Sequence, residues 1–242
     1  MISNSQTKLI TSLKQKKYRD KESLFVAEGP KVIQELLDEG LKLRWLFTTQ
    51  PINNFKGNLV EITPAELKKI SFLKTPNTSL AVFEIPTIKP PKTSGLVVAL
   101  DALRDPGNLG TIIRLCDWFG VEQLLCSEDT VDCYNPKVVQ ASMGSLARVQ
   151  INYVPLSEFL NKSNLPVYGG FMDGSNIYTE SLPNDAVLVL GNEANGISEV
   201  ISNIVTNRIS IPRFGSIQKT ESLNVATATA ILLSEFRRST GK

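Results

Sequence analysis

The sequence predicts an α/β protein in two parts, a small α/β unit followed by a larger domain built on a parallel sheet, and three observations lead there. Short apolar runs alternate with helical patterns through the second half of the chain, the order expected of parallel strands covered by helices. The stretch Pro86 to Gly95, PTIKPPKTSG, has three prolines, a glycine and little apolar content, as a linker would. Charge divides at the same place: residues 1–90 hold 14 Lys/Arg against 9 Asp/Glu, and residues 91–242 hold 12 against 15. We therefore expect domains at 1–88 and 96–242, with 89–95 between them.

In the first part, Pro30 to Glu39 reads as a helix with proline near its start and Gly40 as its stop. Arg44 to Thr49 reads as a strand. Thr63-Pro64-Ala65-Glu66 has the spacing of a capping box and opens a helix to about Phe72, and Leu80 to Ile85 reads as another strand. The positive excess lies mostly in Lys8, Lys14, Lys16, Lys17, Arg19 and Lys21, which makes the front edge a candidate phosphate-contacting surface or simply a solvated face.

In the second part, strands are expected near Leu96–Leu100, Gln123–Cys126, Val167–Phe171, Ala186–Leu190 and Arg208–Ile211. Ligand sites in such sheets lie outside the carboxyl ends of the strands, so the loops that follow three of these runs are the places to look. The first runs from Asp101 through Asn108-Leu-Gly110 into a helix with Ile112, Leu115 and Phe119 on one apolar face. Arg114 shares another face with Thr111 and Trp118; it is either an active-site cation or a solvated arginine, and Asn108 either acts in the site or caps the helix. The second loop, Gly191-Asn-Glu193-Ala-Asn-Gly196, is suited to backbone contact with an adenosine-like ligand or is an ordinary turn, with Ser198 available to cap the next helix. It lacks the G-x-G-x-x-G pattern of dinucleotide-binding folds. The third runs from Arg213 to Asn224 and enters the helix VATATAILLSEFRR, whose Ala226, Ala228 and Ala230 leave it thin enough for another backbone to approach; Ser222 and Asn224 are natural helix starters.

Composition narrows the chemistry. Apolar residues make up 42% and charged residues 21%, in the range of globular proteins. No run approaches the ~18 apolar residues of a membrane span, and the N-terminus lacks the apolar stretch of a signal peptide, so we expect a cytoplasmic protein. Cys116, Cys126 and Cys133 are odd in number and lack metal-ligand spacing, which suggests buried small hydrophobes. There is no histidine, which excludes Ser-His-Asp, Cys-His and His-zinc chemistry. Catalysis must then rest on other side chains or on a cofactor that already carries a reactive group.

Taken in order, the three loops resemble the SpoU (TrmH-like) branch of the SPOUT methyltransferases. The resemblance rests on Asn108-Leu-Gly110 with Arg114 and Phe119-Gly120, on Gly191-Asn-Glu193 with Gly196, and on Ile211-Pro212 followed by Glu221-Ser-Leu-Asn-Val-Ala226, and it covers about residues 96–238. The front part looks like a substrate-binding module through Phe25-Val-Ala-Glu-Gly29-Pro-Lys31. The family resemblance implies a C-terminal trefoil knot, bound S-adenosyl-L-methionine, a homodimer with composite active sites, no metal, and methylation of a ribose 2′-hydroxyl in rRNA or tRNA. It implies cofactor contacts at Gly191, Ile211 and Leu223, and catalytic or active-site roles for Asn108, Arg114, Glu193, Ser222 and Asn224. The segment Gly215 to Thr220 is longer than in many relatives. Two other readings stand beside this one: an inactive RNA-binding or ribosome-associated protein of the same fold, and a Rossmann-type nucleotide enzyme. Arginine keeps its proton in proteins, so under the family reading Arg114 is expected to clamp the adjacent phosphate and orient the hydroxyl, with a phosphate oxygen, Ser222 or water relaying the proton.

Overall fold

A computed structural model describes residues 1–53, 55–216 and 222–238. The chain forms two compact units, Met1–Thr87 with Asp132–Arg148, and Ile88–Val131 with the chain from Val149 onward. The first begins with helices α1 (Asn4–Ser12) and α2 (Lys16–Glu22), then β1 (Leu24–Glu28), α3 (Pro30–Asp38), β2 (Leu43–Thr48), β3 (Leu59–Glu61), α4 (Pro64–Ile70) and β4 (Ser79–Glu84). Its sheet has the order β1-β4-β2-β3, antiparallel except for the β2–β3 pair. The capping box at Thr63 forms as the spacing suggests: the Thr63 hydroxyl accepts from the Glu66 N–H, and the Glu66 carboxylate accepts from the Thr63 N–H. One face of the sheet closes over Ile10, Leu13, Phe47, Leu67, Ile70 and Leu80.

The remaining elements are β5 (Leu96–Leu100), α5 (Pro106–Trp118), β6 (Gln123–Cys126), α6 (Pro136–Ser142), β7 (Gln150–Tyr153), α7 (Leu156–Lys162), β8 (Val167–Asn176), β9 (Ala186–Leu190), α8 (Glu199–Ser202), β10 (Asn207–Ser210) and α9 (Val225–Arg238). Six of these strands make one fully parallel sheet in the order β10-β8-β9-β5-β6-β7. Strands β5, β6 and β9 are buried along their whole length, which is why they read as unbroken apolar runs. Helix α6 belongs to the first unit, where it packs against β1, whereas the sequence pattern groups residues 132–148 with the second part. Nothing in a local pattern announces that return.

Three sequence expectations need correcting. Arg19 is not a surface cation: it is 2% exposed, donates to the Leu13 and Lys14 carbonyls, and is ion-paired with Asp132. Lys8, Lys14, Lys16, Lys17 and Lys21 are exposed, so five of the six front-edge cations face solvent. On α5 the buried face is Leu109, Ile112, Ile113 and Cys116; Leu115 and Phe119 are only half-buried, because the buried face is turned about one position later along the helix than the 112/115/119 stripe assumes. Ser198 precedes α8 but its side chain makes no capping bond. Cys116, Cys126 and Cys133 are all buried, and burial pushes the Cys116 thiol well above its ordinary range, where it is inert as a nucleophile.

Helices α5 and α9 lie side by side and run in the same direction. At one end the Asn224 side chain reaches Asn108; at the other the Arg237 guanidinium donates to the Phe119 and Gly120 carbonyls. Phe236 meets Tyr168 of β8 edge-on, with ring centroids 5.4 Å apart, and joins the helix to the sheet.

Candidate active site

Because all six strands of the second unit are parallel, the residues that follow β5, β9 and β10 emerge on one edge of the sheet. The loops after β5 and β9 are tied to each other by buried or half-buried polar groups. Asp101, 6% exposed, accepts from the Ser198 N–H at 2.7 Å, and the Asn192 amide donates to the Ala102 carbonyl at 2.7 Å. Ala102 sits at φ +58, a conformation that costs a non-glycine residue about 1–2 kcal/mol and is held here by those contacts. Asn192 also accepts from the Ala194 and Asn195 N–H groups and forms a two-way backbone bridge with Gly196. Sequence reasoning misses Asp101 and Asn192 as the residues that tie these loops together. A carboxylate placed directly after an apolar strand is the available signal for the first, and the second lies unremarked inside the Gly-Asn-Glu motif.

The third loop joins through side chains. Asn108 donates to the Glu193 carboxylate at 2.8 Å and accepts from the Asn224 amide at 2.9 Å, so one asparagine links the loops after β5 and β9 to the start of α9. Of the two roles open to Asn108, capping is the one its side chain does not fill. The cap of α5 is Asp105, whose carboxylate accepts from the Asn108 N–H, and that leaves the Asn108 side chain free to bridge. Asn224 does both jobs, since its carbonyl oxygen accepts from the Ala226 and Thr227 N–H groups while its amide turns toward Asn108.

Arg114 is exposed on α5, on the face that carries Thr111 and Trp118, with no hydrogen bond or ion pair among the described residues. An arginine in that state keeps all its donors for a ligand. Gly191 and Ile211 are half-buried at the ends of β9 and β10; Leu223 is 47% exposed and Ser222 is exposed. Glu221 and most of the Gly215–Thr220 segment lie outside the described residues. The residues at this edge fit S-adenosylmethionine by their chemistry: half-buried backbone at Gly191 and Ile211, apolar Ile211 and Leu223, the Glu193 carboxylate and the Asn108 and Asn224 amides. Among the described residues no three His, Cys, Asp or Glu side chains cluster as metal ligands.

Comparison with known proteins gives the family and the fold. Residues 95–234 match the SpoU rRNA Methylase family, and residues 4–81 match the MRM3-like substrate binding domain. A Porphyromonas gingivalis structure assigned to the TrmH family of RNA methyltransferases is 41% identical over 99% of both chains, with a TM-score of 0.89. An rRNA methyltransferase from Sinorhizobium meliloti, solved with AdoMet bound, is 30% identical with a TM-score of 0.86, covering 99% of this chain and 96% of that one. A Bacillus subtilis 23S rRNA guanosine 2′-O-methyltransferase is 29% identical over 133 residues, 53% of this chain and 52% of the relative. The chain thus matches about half the length of such curated relatives.

Proposed function

The chain belongs to the SpoU rRNA Methylase family, and from that membership we propose that it transfers a methyl group from S-adenosylmethionine to a ribose 2′-hydroxyl in RNA. The observation that carries this reading is the Asn224–Asn108–Glu193 relay, which draws the three family loops together at the carboxyl ends of the parallel strands. The bound cofactor supplies a methyl group already activated as a sulfonium. What remains for the protein is to hold the acceptor hydroxyl in line and ease loss of its proton. Arg114 is positioned for the first task, as a fork on the neighbouring phosphate; a phosphate oxygen, Ser222 or water takes the proton. The relay keeps Glu193 and Asn108 fixed while this happens. Gly191, Ile211 and Leu223 hold the cofactor, largely through backbone, and we take the C-terminal segment to be knotted around it as in the family.

The test is transfer of labelled methyl from S-adenosylmethionine to unmodified ribosomal and transfer RNA transcripts, with the product located by ribose-methylation mapping. Methylated ribose in one of them is the expected result. RNA binding without transfer would point instead to an inactive RNA-binding protein, and stabilisation by NAD but not by S-adenosylhomocysteine would point to a nucleotide enzyme. RNA affinity should fall steeply with salt, because the exposed lysines of the first unit meet a polyanion. No helix among the described residues is long and apolar enough to cross a membrane. We propose the cytoplasm as the site of action, where ribosomal and transfer RNA are in use.

We also infer a homodimer. In α9, Ala226 and Thr229 are spent on packing within the chain, while Ala228 and Ala230 are half-buried, so the small-residue helix is not the main argument. Trp118 is: it is 84% exposed on α5, and tryptophan is enriched in interfaces relative to the rest of the surface. Light scattering at micromolar concentration should give twice the chain mass, and Trp118→Glu should give the monomer. A wild-type monomer that retains full activity would exclude the dimer.

A further inference from the structure

The first unit contains a cavity of about 240 Å³ that no step of the methyl transfer uses. Its walls are the apolar side chains of Phe72, Leu73 and Pro136; its polar members are Glu28, Gln140 and Lys137. Glu28 is the acid of the Phe25-Val-Ala-Glu-Gly29 motif. It lies at the end of β1, is 5% exposed, and accepts from the Ser71 hydroxyl and the Phe72 N–H, while the Leu73 N–H donates to the Ser71 oxygen. Burial nevertheless holds its carboxyl above the usual carboxylate range. A carboxylate has about four acceptor sites, so these two bonds leave room for a ligand. Gln140 on α6 adds both a donor and an acceptor. Lys137 is exposed at the rim, and Lys74, which directly follows the wall residue Leu73, is exposed as well.

We propose that this cavity receives a single unpaired nucleobase of the RNA, a reading that rests on RNA being the substrate. A base has two apolar faces and one polar edge, and it is flanked on both sides by phosphate. The cavity offers the matching parts: apolar walls with a half-buried phenylalanine, a carboxylate and an amide for the base edge, and the Lys137 ammonium at the rim for a flanking phosphate. It is also smaller than the roughly 300–1,000 Å³ sites that hold drug-sized molecules, which fits one heterocycle better than a peptide side or a whole nucleotide. Glu28 has a plain structural use, tying the chain after α4 to β1, so it is a poor residue to mutate first.

The test uses Ala141, which lines the same cavity from α6. Ala141→Leu fills the space with a good helix former, and Gln140→Ala removes the amide without adding bulk. The probe is a short single-stranded RNA carrying 2-aminopurine, read by fluorescence in the full chain. Wild type should bind it with quenching of the base, and each variant should bind about 10-fold or more weakly, the scale of losing one stacked or edge-bonded base. Melting temperature and S-adenosylhomocysteine affinity should stay at wild-type values. Equal affinity and quenching in wild type and both variants would overturn the proposal, as would tight wild-type binding without quenching. Methyl transfer to ribosomal RNA, measured separately, distinguishes the two claims: loss of the probe effect with transfer intact removes only the pocket, and absence of transfer with the probe effect intact removes only the enzymatic reading.

Discussion

Replacing Arg114 with alanine is expected to lower methyl transfer by at least ~100-fold, about 2.7 kcal/mol of transition-state stabilisation, while leaving the fold nearly untouched. The two halves of that expectation come from the same observation. Arg114 is exposed and carries no ion pair or hydrogen bond among the described residues, so its removal takes nothing from the folded chain, and a surface substitution of this kind changes stability by about half a kcal/mol or less. Its guanidinium lies on the helix that the Asn108 relay anchors, off the buried face, where an incoming phosphate can reach it. Affinity for S-adenosylmethionine should change little, since Gly191, Ile211 and Leu223 are on other loops. Arg114→Lys refines the test, because a point charge retains attraction to phosphate but lacks the planar fork; lysine should recover only a small part of the rate. Single-turnover transfer and cofactor titration on the three proteins decide the matter. Near-wild-type turnover in Arg114→Ala would remove Arg114 from the catalytic list.

How legible these features are in the sequence depends on how local their causes are. The strands Leu96–Leu100, Gln123–Cys126 and Ala186–Leu190 are legible with the bounds they have, because central strands of a parallel sheet bury both faces and leave continuous apolar runs. The apolar pattern of β8 stops at Phe171, yet the strand extends to Asn176. Its second half, MDGSN, is polar and pairs with β10 only after a register shift, so no periodic pattern marks it. The edge strands β3 and β7 are short and half-exposed in part, and the sequence reading contains neither.

Side-chain roles follow the same rule. Asp105-Pro106 is a strong helix-start pair, and that pair by itself argues that Asn108 is not the cap of α5. The link from Asn108 to Asn224 spans 116 residues and cannot be read from spacing; only the family pattern hints that those loops meet. Arg19 shows the opposite failure. A charge count places every lysine and arginine in water, and it cannot see a carboxylate 113 residues away that makes a buried arginine tolerable.

The second large effect is expected at Gly191, where Gly191→Ala should weaken cofactor binding by roughly 100-fold or more and destabilise the chain by about 2–4 kcal/mol. A methyl group on Gly191 would overlap the backbone of Gly196 and Ile197. Those atoms cannot retreat cheaply, because Asn192 and Gly196 hold each other through two backbone hydrogen bonds of 2.9 Å, and Asn192 is further anchored to the Ala102 carbonyl. Relief therefore means opening that bridge, which shifts the loop proposed to hold the cofactor and the Glu193 that follows it. Gly196 provides the control. A Cβ there meets no neighbour, and the only cost is its left-handed backbone at φ +68, so Gly196→Ala should lose only about 1–2 kcal/mol and keep most of its cofactor affinity. Calorimetric titration with S-adenosylhomocysteine, paired with thermal melts of both variants, measures the two effects separately. At about 2–4 °C per kcal/mol for a chain of this size, the melts should be several degrees apart. If Gly191→Ala instead binds and melts like the wild type, close backbone approach at Gly191 is not what shapes the loop, and the cofactor role assigned to it fails with that geometry.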